Sequence, residues 1–394
     1  MINTKNPKLA INGGEPISKE PIVIHKPYLK NDDREAILKA FDSTFISGDG
    51  PLCREFEKAL AEYLCVKHVL YMNSATTALE LAFRAKEFPP GSEVIVPDFT
   101  YTSSALAPLY NDINIVLCDV YPDNGSLDVS KLESYISDKT VAIVPVDYAG
   151  IPADMDEINR IAKKYGLYVV HDTAQSIGAE YRGKKTGNLA DVSVFSFHGT
   201  KNITTGEGGA LVTDDDTIAE KIKILREKGT NKYSFLTDNV TRGYYEYVDI
   251  GNSYVQSNIL GAMGVTQMQK IDEILRIRTE IAECYKRSLS GIEGLDFVRI
   301  TEGAKSNWHI FGILFPSEHK YWIMDALRAE GVYANVHYTP LHNNAFYKDY
   351  GTDEDFPGSV AFFKRLLRLP IYPDLTSSEI NSVIAAVKKV FLSK

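Results

Sequence analysis

The stretch VSVFSFHGTKNITTGEGGALVTDD, residues 192–215, reads as two buried strands joined by a tight connection. VSVFSFH (192–198) and GALVTDD (209–215) are apolar on both faces, as a sheet covered on both sides requires. The glycines of TTGEGG (204–209) let the chain turn close against the sheet end. Working outward toward the N-terminus, the same kind of run recurs as LYVVHDT (167–173), VAIVPVDY (141–148), INIVLCDV (113–120), EVIVPDF (93–99) and HVLYM (68–72). Between them ALELAFRAK (78–86), DVSKLESYI (128–136) and DMDEINRIAKKYG (154–166) carry helical periodicity. The pattern predicts a three-layer α/β unit around a mostly parallel, seven-stranded sheet.

The chain changes character after residue 258. NILGAMGVTQMQKIDEILRIRTEIAECYKRSLSGI (258–292) predicts one long helix bridging two domains, followed by a strand, WHIFGILFP (308–316), and a helix, KYWIMDALRAEGV (320–332). SSEINSVIAAVKKVF (377–391) closes the chain as an amphipathic helix. A large domain over 1–270 and a small C-terminal α/β domain over 271–394 are expected, with the first 25 or so residues packing elsewhere. TNKYSFLTDNVTRGYYEYVD (230–249) reads as a long loop, a length that often carries function.

With 394 residues, 44% of them hydrophobic and 24% charged, most of the chain should fold. A net charge of −9 argues against a nucleic-acid partner, which needs a basic face. Cys53, Cys65, Cys118 and Cys284 lack CxxC spacing, so buried free thiols in a reducing cytosol are expected. The opening MINTKNPKLAINGGEP has no apolar signal region, and no apolar run reaches the roughly 18 residues of a membrane span. The expectation is a soluble, cytoplasmic protein with no membrane partner.

Ligands of open α/β sheets sit beyond the carboxyl ends of the strands. After HVLYM comes Asn73-Ser74-Ala75-Thr76-Thr77, which is either a plain helix cap or a cup of N–H groups for a phosphate. After LYVV comes His171-Asp172-Thr173-Ala174-Gln175, whose carboxylate either caps a helix or holds a pyridinium nitrogen protonated. After VSVFSF comes His198-Gly199-Thr200-Lys201, whose lysine is either a surface residue or a partly buried amine suited to Schiff-base chemistry. GTK lacks the P-loop spacing, and no GxGxxG follows the first strand, so nucleotide-binding motifs of those kinds are excluded.

The order of these groups is more informative than any one of them: phosphate cup, then Asp, then Lys. With SGDGPLCREFEKALAEYL, MNSATTALELA, VIVPDFTYTSSA, VVHDTAQSIGA and FSFHGTKNITTGEGGALVTDD, the chain resembles the DegT/StrS-type nucleotide-sugar aminotransferases, from about residue 25 to the C-terminus. The resemblance implies the PLP-dependent transferase fold type I and pyridoxal 5'-phosphate (PLP) as cofactor. It implies that Lys201 carries the cofactor and shuttles the proton, with Asp172 on the pyridine nitrogen. It places Gln175 near the phenolic oxygen, Tyr101 against the ring face, and Ala75, Thr76 and Ser196 on the phosphate. It further implies a homodimer with shared sites, in which Asn252 or Ser253 reaches the neighbouring phosphate. Where His171 stands the family commonly has an acid, and where Asp147 stands it has a His.

REKGTNKYSF (226–235) and VDIGNSYVQSN (248–258) resemble the branch that aminates C4 of dTDP-4-keto-6-deoxy-D-glucose. The motif VHYTPLH (336–342) implies a sugar-side role for His337 and Tyr338, the alternative for His337 being a packing role in a loop. The spacing of His337 and His342 is not a zinc spacing, and no metal is expected. L-glutamate is the expected donor, 2-oxoglutarate the by-product and dTDP-4-amino-4,6-dideoxy-D-galactose the product. The alternatives are a C3 or other-nucleotide aminotransferase, the gluco epimer, and a non-catalytic PLP-binding regulator. The last predicts a basic helix-turn-helix stretch, which is not visible. Relatives that dehydrate the sugar replace the lysine with His, and here Lys201 is present.

Overall fold

The computed structural model describes residues 8–231, 245–316 and 319–392. Seven strands, β1 (His68–Met72), β2 (Glu93–Pro97), β3 (Asn114–Cys118), β4 (Thr140–Ile143), β5 (Tyr168–Asp172), β6 (Val192–Ser196) and β7 (Gly209–Thr213), form one sheet in the order β1-β7-β6-β5-β4-β2-β3. Pairing is parallel from β6 through β3, and β7 alone runs against both its neighbours. Every residue of β5, β6 and β7 is buried, as their unbroken apolar runs require.

The helices that matter to the site are α1 (Asn31–Asp42), α2 (Pro51–Leu64), α3 (Ala75–Arg84), α4 (Ser103–Leu109), α5 (Met155–Tyr165), α6 (Asp216–Arg226), α7 (Asn258–Gln269) and α8 (Ile271–Leu289). Side chains of each strand alternate between two cores. Leu70, Met72, Val170 and Val194 pack against Leu79, Ala82 and Phe83 of α3, while Tyr71 and Phe195 meet Phe56 and Leu60 of α2 on the other face. A second, antiparallel sheet joins β8 (Asp296–Phe297), β9 (Phe311–Leu314) and β10 (Leu366–Leu369). It packs with α8, α9 (Lys320–Ala329) and α11 (Ser377–Leu392) into its own apolar cluster; α10 (Pro357–Arg365) leads into β10. Leu9 and Ile22 also belong to that cluster. The Glu330 carboxylate fastens the segment by accepting from Ala10 N at 2.8 Å, Ile17 N at 3.1 Å and Lys389 Nζ at 2.8 Å.

Several expectations need correction. DVSKLESYI forms only a 3-10 turn over Leu132–Tyr135. Asp128 there takes both the amide and the hydroxyl of Ser130, a local bond that competes with an α-helix. The long helix expected over 258–292 is two, broken at Lys270, whose Nζ is drawn to Asp32 (2.6 Å) and Asp33 (2.7 Å) of α1. WHIFGILFP is strand only over Phe311–Leu314, because Trp308 adopts a left-handed backbone (φ 52°) and Arg278 grips the carbonyls of Trp308 and His309. Of the cysteines expected to be buried, Cys65 is exposed as the left-handed C-cap of α2 and Cys284 is half-buried. Most of the 230–249 loop lies outside the described residues. Among those described, no helix is long and apolar enough to cross a membrane.

Candidate active site

The carboxyl ends of β1, β2, β5 and β6 open into a cavity of about 610 Å³. Its floor begins at the first turn of α3, where Ser74 accepts from Thr77 N and the N–H groups of Ala75 and Thr76 have no acceptor within the helix. Gly209 permits this approach: a Cβ there would stand 2.3 Å from Ala75 N. Ser196, at the end of β6, borders the same region. Donors at a helix start plus a hydroxyl make an anion cup.

Asp172, the last residue of β5, is 5% exposed. Its Oδ2 accepts from Ser104 Oγ at 2.6 Å and its Oδ1 from Ala174 N at 3.1 Å. Burial nevertheless pushes its carboxyl above the usual range, with these bonds and Lys201 pulling the other way. A cationic ring nitrogen would relieve that cost. The first turn of α4 serves both regions, since Ser103 Oγ lies 2.7 Å from Thr76 Oγ1 while its neighbour Ser104 holds Asp172.

Lys201 follows β6 on a loop folded back by Thr205 N and Thr204 Oγ1, both donating to Phe197 O at 2.9 Å. The lysine lines the cavity, and burial lowers its ammonium to about 8. Tyr101 stands over the opening, 54% exposed, its ring centroid 5.5 Å from that of Tyr338. Gln175 is fixed at both ends: its Oε1 accepts from Ala149 N at 2.8 Å and its Nε2 donates to Tyr338 Oη at 3.0 Å. His337 stacks on Tyr338 at 5.2 Å and 8°, and burial lowers its imidazolium to about 4.

Nine expected site residues thus share one cavity: Ala75, Thr76, Tyr101, Asp172, Gln175, Ser196, Lys201, His337 and Tyr338. Asn252 and Ser253 do not; both are exposed, outside its lining. His171 and Asp147 face each other in the interior, Nε2 to Oδ1 at 2.7 Å with both side chains fully buried. The resemblance carries an acid where His171 stands and a His where Asp147 stands; in this chain the two side chains pair.

The sequence reading missed Arg368, His309 and His25, which also line the cavity. Arg368 sits in β10, whose short run RLLRLP was not recognised as a strand; a charge inside an apolar run was the available signal. His309 arrives through the bend at Trp308, held there as Asn307 Nδ2 donates to the carbonyls of Gln175 (2.8 Å) and Ile177 (2.9 Å). Nothing local in the sequence announces that bend.

An anion cup, a buried carboxylate and a lysine of lowered pKa around one cavity fit a phosphorylated pyridine aldehyde. Comparison with known proteins agrees. Residues 27–388 match the DegT/DnrJ/EryC1/StrS aminotransferase family. The chain is 36% identical to a GDP-perosamine synthase of Caulobacter vibrioides, over 94% of this chain and 98% of that one. It is 32% identical to a UDP-4-amino-4,6-dideoxy-N-acetyl-beta-L-altrosamine transaminase of Campylobacter jejuni, over 92% and 97%. The Streptococcus pneumoniae protein Spr1654, solved in PLP and PMP forms, superposes with TM-scores of 0.87 and 0.89 at 28% identity, covering 95% and 94% of this chain and 99% of each Spr1654 chain. The fold is that of the PLP-dependent aminotransferases, and PLP is the cofactor. The chain belongs to the DegT/DnrJ/EryC1/StrS aminotransferase family, as a sugar aminotransferase.

Proposed function

We propose that this chain transfers the amino group of L-glutamate to C4 of dTDP-4-keto-6-deoxy-D-glucose, releasing 2-oxoglutarate and dTDP-4-amino-4,6-dideoxy-D-galactose. The observation that carries the reaction is the Lys201 amine, of lowered pKa, in one cavity with the buried Asp172 carboxylate. PLP, when bound, supplies an electron sink for the carbon that gains or loses a proton.

The chain's own residues supply the rest. Ala75 and Thr76 N–H groups and the Ser196 hydroxyl would hold the phosphate, Asp172 would keep the ring nitrogen protonated, Tyr101 would cover the ring face, and Gln175 would bond beside the phenolic oxygen. Lys201 would hold the cofactor covalently until the amine of L-glutamate displaces its Nζ. The freed Nζ would then take the proton from Cα of L-glutamate and, in the second half, deliver one to C4 of the sugar. Delivery from one side of the ring makes a single epimer. His337 and Tyr338 border the sugar. The active form is a homodimer, with Asn252 or Ser253 reaching the neighbouring phosphate, and residues 1–270 and 271–394 are its large and small domains, the first 25 or so residues packing on the small one.

KGTN (228–231) and DIGNSY (249–254) support C4 as the aminated carbon, as does the Campylobacter relative, whose name specifies a 4-amino-4,6-dideoxy sugar. The two relatives are named for GDP and UDP sugars, so the test presents dTDP-, GDP- and UDP-linked 4-keto-6-deoxy sugars side by side with L-glutamate. Mass spectrometry is expected to show amination of the dTDP sugar first, and proton NMR a small H3–H4 coupling from an axial amine. Preference for another nucleotide, a C3 amine, or a large coupling each overturns that part of the assignment.

A further inference from the structure

Beyond the large sheet, two histidines reach the loop that carries Lys201, and both line the cavity. On one side, Asn202 Nδ2 donates to Asn307 O at 3.0 Å, so Asn202 Oδ1 accepts from His309 Nδ1 at 3.2 Å. On the other, His25 Nε2 stands 2.9 Å from Gly199 O, two residues before the lysine. A carbonyl only accepts, so Nε2 carries the ring proton. Burial, reinforced by Arg278 and Arg368, lowers the His25 imidazolium to about 4, which leaves the ring neutral with its proton committed to that bond. Among the described residues no other donor reaches Gly199 O. His198 and Thr200 beside it are exposed, and a Cβ at Gly199 would find nothing nearer than Gly206 O at 3.8 Å. A glycine so loosely surrounded keeps its place only if something holds its backbone.

We propose that His25 is a positioning residue for Lys201: its Nε2–H fixes Gly199, and so the point from which the lysine reaches into the cavity. The segment bearing His25 is itself well anchored. Ile22 N donates to Gly331 O at 2.9 Å, Tyr333 N to Ile22 O at 3.0 Å and Ile371 N to Ile24 O at 3.4 Å, while the Ile22 side chain is buried in the second core. His25 therefore ties the second core to the loop after β6, and it stands just ahead of the residues 27–388 that match the family. Lys201 must place one nitrogen at the reacting carbon in both halves of the reaction, where a displacement of about 1 Å can cost about a hundredfold. A loosened loop would slow both halves without changing how either ligand is gripped. The inference rests on Lys201 as the catalytic lysine.

Three substitutions separate this contact from simple packing. His25→Gln places an amide N–H where Nε2 stands, His25→Asn places one only where Nδ1 stands, and His25→Ala removes both. In PLP-free protein, competitive acetylation reads the Lys201 amine; in PLP-loaded enzyme, cofactor absorbance after L-glutamate is added reads the first half of the reaction. For His25→Asn and His25→Ala the acetylation midpoint is expected to rise from about 8 by about one pH unit as the amine gains water. The rate at saturating L-glutamate is expected to fall about tenfold or more, at an unchanged half-saturating concentration. His25→Gln is expected to restore both. A folded His25→Asn protein with wild-type midpoint and rate overturns the proposal, as does a His25→Gln protein no better than His25→Asn. Should the variants fail to fold, nitrogen NMR of wild-type protein with isotope-labelled histidine decides: a neutral His25 ring protonated on Nε2 supports the contact, and a proton on Nδ1 overturns it. Borohydride fixing PLP to another lysine would remove the Lys201 assignment itself, an outcome no His25 variant can imitate.

Discussion

Lys201 owes its chemistry to where it is placed. An ammonium in water holds its proton to about pH 10, whereas burial beside Arg368 brings this one to about 8, with Asp172 partly offsetting the fall. The sign is that of a buried cation: the neutral amine becomes dominant as pH rises through about 8, and protonation below that value removes it. Competitive acetylation of the PLP-free protein, read by peptide mass spectrometry, is therefore expected to label Lys201 with a midpoint near pH 8 while exposed lysines keep rising toward pH 10. A midpoint shared with the surface lysines would show the amine to be solvated. Lys201 and Asp172 were legible in the sequence because strand ends follow one another in fixed order and each carries its residue into the same space. Arg368 and His309 were not, since their positions depend on β10 pairing with β9 and on a bend fixed by long-range bonds from Asn307.

In the large sheet the strands were legible because both their faces are covered, whereas β10, equally buried but short and carrying Arg368, was not. The seven runs of the large sheet are apolar because both faces are covered, and each forms a strand within its expected limits or one residue beyond. The run 258–292 shows the opposite case: its periodicity is helical throughout, yet it breaks at Lys270, whose Nζ pairs with Asp32 and Asp33 of α1. Within α7, Gly261 and Gly264 let that helix lie directly against α2. A Cβ at Gly261 would meet Cys53 N at 2.6 Å, and one at Gly264 would meet the Phe56 ring at the same distance. Gly261→Ala presses on backbone that cannot rotate away. The expected cost is about 1–3 kcal/mol, seen as a lowered thermal midpoint, whereas Gly91→Ala, where nothing lies within 4 Å, is expected to lose less despite its left-handed φ of 81°. Equal midpoints for the two variants would remove the close-packing account.

At the scale of the whole molecule, Asn252 and Ser253 are exposed beyond the cavity they are expected to serve, an arrangement that suits a site completed by a second chain. Two inactive chains should then rescue each other. Lys201→Ala mixed with an Asn252→Ala/Ser253→Ala chain is expected to regain up to about a quarter of wild-type activity per site, since random pairing gives half heterodimers with one intact site each. No recovery after exchange, or a fully active monomer in sedimentation, would contradict shared sites. The clamp at Glu330 bears on a different matter, the order in which the chain can fold as it is made. Leu9 and Ile22 are synthesised ahead of the whole large sheet, yet their cluster also contains Val390 and Phe391, and the carboxylate that holds Ala10 and Ile17 is itself paired with Lys389. The large sheet is complete once residue 213 has emerged, but the second core cannot close until residues 390 and 391 have followed. Until then residues 9–22 lack part of the cluster they dock on, and they enter the finished core together with residues 389–391.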